Sequence, residues 1–179
     1  MNIFNNYFNN IILFDFITKF KRNSINELPI LKKLILSFEY KKPTLRKILM
    51  SLLSLKLING RINRNGKITL TKQSNISLKL RAGNPVGCKL TLRKKDLLNF
   101  LYKFLLIVLP SDKSFIKIKK ISHINMLSLQ FGNLFLFQEL SSNYHIFKEL
   151  NKLSIVLVIT NCKSIEELIF ILKSFKIQI

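Results

Sequence analysis

The sequence predicts an α+β fold, a largely antiparallel sheet with helices packed on one face and a long basic hairpin loop. Three observations carry this. Apolar runs of period two and of period 3.6 follow one another along the chain without internal repeats. Their order is αβαβ, β, α, βββ, α, which gives an antiparallel sheet covered by helices. Two of the strand-like runs are joined by a loop too long for a simple turn. A length of 179 residues suits a single domain, 1–179, able to bury roughly 70% of the surface that its unfolded chain exposes.

An amphipathic helix is expected from about Asn5 to Phe20. Leu34, Leu36, Phe38 and Tyr40 then alternate with Lys33, Ile35, Ser37 and Glu39, the pattern of a strand with one polar face. Pro43 suits the first turn of a helix in which Leu45, Ile48, Leu49 and Leu52 form one apolar side. Asn59 and Gly60 end it. Lys67–Thr71 and Val86–Leu92 read as strands, with the Ser-, Asn- and Gly-rich loop Lys72–Asn84 between them. Asp96 opens a helix whose Leu97, Leu98, Leu101, Phe104, Leu105 and Val108 make a broad apolar face, and Pro110 is expected to stop it. Phe115–Ile118, Leu127–Phe137 and Leu153–Thr160 read as further strands. Ser164 followed by Glu167 is a capping-box pattern that opens a last helix through Leu168, Ile169 and Leu172.

Charge narrows the function. Thirty Lys and Arg stand against nine Asp and Glu, a net +21, which points to a polyanionic partner. The imbalance is local: Tyr40 to Lys95 holds 15 cationic side chains and no carboxylate. A merely solvated face would intersperse both signs. The apolar runs ending at Pro110 and Thr160 fall far short of the roughly 20 residues of a spanning helix, so no membrane partner is expected. The first residues match neither a secretory signal nor an arginine-rich presequence. Lys outnumbers Arg 24 to 6, and Asn and Ile are abundant, a bias that suits an A+T-rich organelle genome or microbe.

Catalytic and metal chemistry find no foothold. Cys88 and Cys162 have no CxxC spacing, and His123 and His145 have no metal spacing. No GxSxG, GxGxxG or P-loop pattern is present. The carboxylates form no spaced acid and base pair. No cofactor is expected, Cys88 is expected to be a small buried residue, and binding is favoured over chemistry.

"SLKLRAGNPVGCKLTLR", Ser77 to Arg93, strongly resembles the segment "GFKIRxGxPIGCKVTLR" of a universal ribosomal protein of the large-subunit central protuberance, the bacterial L-five family. Lys79, Arg81, Gly83, Pro85, Gly87, Cys88, Lys89, Thr91, Leu92 and Arg93 match it. "NNYF", "LPILKKLILS", the helix ending in "LP", "FQEL" and "KSIEEL" extend the resemblance over nearly the whole chain.

The resemblance implies a structural protein of a large ribosomal subunit, here expected to be mitochondrial and in the matrix. Its partners would be ribosomal RNA (5S rRNA where present), peptidyl-site transfer RNA, and neighbouring proteins including one of the small-subunit head. Carried over, Ser37, Arg64, Lys67, Lys89, Thr91 and Arg93 are the candidate rRNA contacts. The loop Lys72–Asn84, with Lys72, Ser74, Lys79, Arg81 and Asn84, is the candidate transfer-RNA contact. Cations there would neutralise phosphates, and hydroxyls and amides would bond backbone and 2′-OH groups. A non-ribosomal RNA-binding or RNA-processing factor using the same basic hairpin is the alternative. The chain departs from the family in "SFEYKKP" after the first long strand, with Ser37 for an asparagine, and in "PSDKSFIKI" after the helix, where the family is arginine-rich.

Overall fold

A computed structural model describes residues 3–60, 65–111, 117–123 and 125–175. The chain opens with α1 (Ile3–Tyr7), a π-helical turn (Phe8–Ile12), α2 (Leu13–Phe20) and a 3-10 turn (Ile25–Glu27). Then come β1 (Ile30–Glu39), α3 (Leu45–Asn59), β2 (Lys67–Leu70), β3 (Pro85–Leu92) and α4 (Lys95–Lys103). A second π turn (Phe104–Val108) leads to α5 (Leu109–Ser111), β4 (Lys117–His123) and β5 (Met126–Phe131). A 3-10 turn (Leu134–Leu136), α6 (Gln138–Ser141), α7 (Tyr144–Phe147), β6 (Leu153–Thr160) and α8 (Ile165–Ser174) complete it. The strands are ordered β2-β3-β1-β6-β5-β4, and the class is α+β with an antiparallel sheet, as the sequence predicts.

Two compact units make up the chain: Met1–Leu34, Leu92–Leu129 and Val156–Ile179 form the first, Ile35–Thr91 and Gln130–Ile155 the second. In the first, the N-terminal helices lie on α8 through aromatic rings. Phe4 and Phe8 stand 5.6 and 6.0 Å from Phe175, and Phe20 meets Phe170 edge-on at 5.7 Å. Arg22, its side chain 6% exposed, places Nη2 2.5 Å from Oε1 of the equally buried Glu167. Glu27 receives Arg22 Nη1 at 3.4 Å and Lys163 Nζ at 3.0 Å, and the Lys163 ammonium holds its carboxyl below the usual range. At the start of α8, Ser164 Oγ accepts from the Glu167 amide at 3.3 Å, the expected cap. Glu167 Oε2 in turn accepts from the Lys163 amide at 2.8 Å, which satisfies a second donor at this helix start.

The helix after Asp96 buries Leu97, Phe100, Leu101, Phe104 and Val108, while Leu98 and Leu105 are only half-buried. Pro110 does not stop it. The helix runs on to Ser111 because the π turn, with Leu109 N–H bonded to Phe104 O, widens the ladder just where the ring would crowd the preceding turn.

The second unit corrects the reading of α3. Its buried side is Ile48, Ser51, Ser54, Leu55 and Ile58, whereas Leu45, Leu49 and Leu53 are 76, 55 and 44% exposed. The serines cost little to bury because Ser51 Oγ donates to Ile48 O at 2.8 Å and Ser54 Oγ to Ser51 O at 2.9 Å. Pro43 lies outside the helix. Thr44 is the N-cap, its Oγ1 accepting from the Lys47 amide at 3.3 Å, and Gly60, at φ 65°, closes the other end. The strand expected to run to Phe137 ends at Phe131, because Gly132 and Asn133 turn the chain so that the Phe137 ring meets Phe131 edge-on at 5.9 Å. Phe115 and Ile116, where another strand was expected to begin, lie outside the described residues, and β4 starts at Lys117.

Candidate nucleic-acid interface

β2 and β3 pair antiparallel with Lys67 opposite Lys89, Ile68 opposite Cys88 and Thr69 opposite Gly87. Alternation along β3 sends Cys88 and Leu90 inward and leaves Lys89 exposed and Thr91 half-buried on the other side. Lys67 is exposed as well. On β1, Ser37 stands opposite in parity to the buried Leu36 and Phe38 and is half-buried. Ser37, Lys67, Lys89 and Thr91 therefore share the open sheet face of the second unit. Arg93 is exposed just beyond β3, in the first unit. Arg64 lies outside the described residues.

Two ammonium groups directly across a strand pair destabilise a sheet. Among the described residues, neither Lys67 nor Lys89 is ion-paired with a carboxylate. Behind this face Cys88 is fully buried and its Sγ donates to Ser51 Oγ at 3.0 Å. Burial pushes this thiol up, against the smaller effect of the Ser51 bond. Cys88 is the small buried residue the sequence predicts, its thiol packed behind the face.

The loop from Lys72 to Asn84 is an ordered arm. Asn75 and Leu80 form an antiparallel bridge, with amide-to-carbonyl bonds of 2.8 and 3.0 Å. Asn75 Oδ1 accepts from Ser77 Oγ at 2.6 Å and from the Leu78 amide at 3.4 Å, an Asx-type turn. Lys79 takes a left-handed backbone at φ 53°. At the base, Thr71 N donates to Asn84 O and Gly83 N to Thr71 O. Gly83, at φ 85°, supplies the conformation a side chain resists. Lys72, Ser74, Lys79, Arg81 and Asn84 are all exposed on this arm. Lys41, Lys42 and Lys152 line a groove of the second unit; the first two belong to the cationic segment Tyr40–Lys95, whereas Lys152 lies outside it.

Among the described residues, no group of three or more His, Cys, Asp or Glu is placed to hold a metal ion, and no helix is long and apolar enough to cross a membrane. An open sheet face with opposed lysines, beside a basic arm, is the arrangement that an α+β protein would present to a polyanion.

No family model matches the chain. It is 31% identical to the large ribosomal subunit protein uL5m of Reclinomonas americana, over all of this chain and 98% of that protein. It is 29% identical to the uL5 protein of Wigglesworthia glossinidia brevipalpis over 98% of this chain and 97% of the other, and 31% identical to uL5c of Oedogonium cardiacum over 88 and 86%. The chain belongs to the uL5 family of large ribosomal subunit proteins, structural constituents of the ribosome and not enzymes.

Proposed function

We propose that this chain holds ribosomal RNA on its open sheet face in a mitochondrial large subunit, and reaches peptidyl-site transfer RNA with the arm Lys72–Asn84. The observation that carries the first part is the placement of Lys67 directly across from Lys89 on a face that also bears Ser37 and Thr91. Lysines supply the phosphate attraction, and hydroxyls supply bonds to sugar and backbone. Arg93 and Arg64 are proposed as further rRNA contacts, to 5S rRNA where the ribosome contains it. The likeness to uL5m and the A+T-driven composition support the mitochondrial matrix. A protein of the small-subunit head is the partner proposed for a bridge.

Sucrose-gradient fractionation at high salt tests this, followed by cross-linking from Lys89 and Lys79. The chain is expected to stay with the large subunit, with Lys89 adducts in rRNA and Lys79 adducts in transfer RNA only when the peptidyl site is filled. Release at high salt would instead indicate a loosely bound RNA-processing factor.

A further inference from the structure

The second unit contains an open groove of about 1180 Å³, roomy enough for a run of polymer. Leu70 and Leu80 give it apolar wall, and Lys41, Lys42 and Lys152 are cationic residues among its lining. Glu39 is the one carboxylate in that lining. The Glu39 backbone is fixed there by a 2.8 Å bond from Asn151 Nδ2 to its carbonyl. A carboxylate is out of place in a site that only attracts phosphates, because it repels them. It is in place where a base edge presents two adjacent N–H donors.

We infer that this groove binds an unpaired guanine of single-stranded RNA, with Glu39 accepting from guanine N1–H and N2–H. The lysines hold the flanking phosphates, and the base lies against the leucines. Adenine and uracil offer a carboxylate no such pair of donors on one edge. The inference rests on the reading of the chain as an rRNA-binding protein, and it assigns Glu39, Lys41, Lys42 and Lys152 a base-reading task beyond the phosphate attraction of Lys67 and Lys89.

The test is competition between the single-stranded pentaribonucleotides UUGUU and UUAUU for the full-length chain at one fixed salt concentration. The guanine oligomer is expected to bind about tenfold more tightly, as one bidentate base contact gives. Glu39→Gln should bring that ratio to within about twofold, whatever it does to overall affinity, because a uniform electrostatic gain cancels in the ratio. The double variant Lys41→Ala with Lys42→Ala should weaken both oligomers alike. A wild-type ratio near one, a preference that survives Glu39→Gln, or binding indifferent to Lys41 and Lys42 overturns the inference. The last result would leave the groove to an acidic peptide. Retention on the large subunit at high salt together with a ratio near one sinks the guanine assignment alone, whereas release from the subunit sinks the reading beneath it.

Discussion

Gly87 lies on β3 against the neighbouring β1, and a Cβ there would overlap the carbonyl oxygen of Phe38 and stand 3.1 Å from its carbon. Backbone, unlike a flexible side chain, cannot yield, so Gly87→Ala should cost about 3 kcal/mol, the upper end for overpacking. Urea denaturation reads this directly, and a loss under about 1 kcal/mol would show that the two strands have room to part. Cys162 offers a second check at this scale. Burial, with the charge of Glu167, raises its thiol to about 11 from an ordinary 9.0. The unfolded chain then loses this proton first as pH rises, so stability present below pH 9 declines until about pH 11. The decline should be on the order of 1–2 kcal/mol after screening, and Cys162→Ala should flatten that part of the pH profile.

At the scale of the element, α8 has its N-terminus tied to distant chain by charge. Arg22 and Glu167 are both nearly inaccessible, so Arg22→Ala strands a carboxylate that also bonds the Lys163 amide. A loss of about 3–5 kcal/mol in denaturant unfolding is expected, with hydrogen exchange speeding first in α8. That Glu167 would help start this helix was legible from its spacing to Ser164; that it would also face Arg22, 145 positions away, was not, because no local pattern encodes a tertiary ion pair. β6 was legible residue for residue, since Leu153–Thr160 has a strong β-branched apolar run bounded by polar residues. The inward face of α3 was not. Hydrophobicity marks Leu45 and Leu49 for burial, but packing selects the small Ser51 and Ser54, whose hydroxyls bond their own helix. For the candidate interface, the cationic segment was readable from Tyr40–Lys95, while the register that sets Lys67 against Lys89 exists only once β2 and β3 pair.

At the scale of the whole molecule, a net charge of +21 guarantees attraction to any RNA, so overall affinity says little about which surface is used. Opposite effects of one substitution on folding and on binding say more. Lys67 and Lys89 stand directly opposite across the ladder, and like charges so placed cost a sheet about 0.2–1 kcal/mol. Lys89→Ala should therefore leave the free chain equally stable or slightly more stable, while weakening its hold on rRNA. If both lysines contact phosphate as proposed, adding Lys67→Ala removes two such contacts, and the slope of log binding constant against log salt should become shallower by about 1.4–1.8. Thermal unfolding of the free chain and rRNA binding over a range of salt concentrations give the two readouts. A double variant that is destabilised and keeps its salt slope would show that these lysines serve the fold. A shallower slope with stability kept or raised is the signature of a face whose charges are arranged for a partner and held against the protein's own interest until that partner arrives.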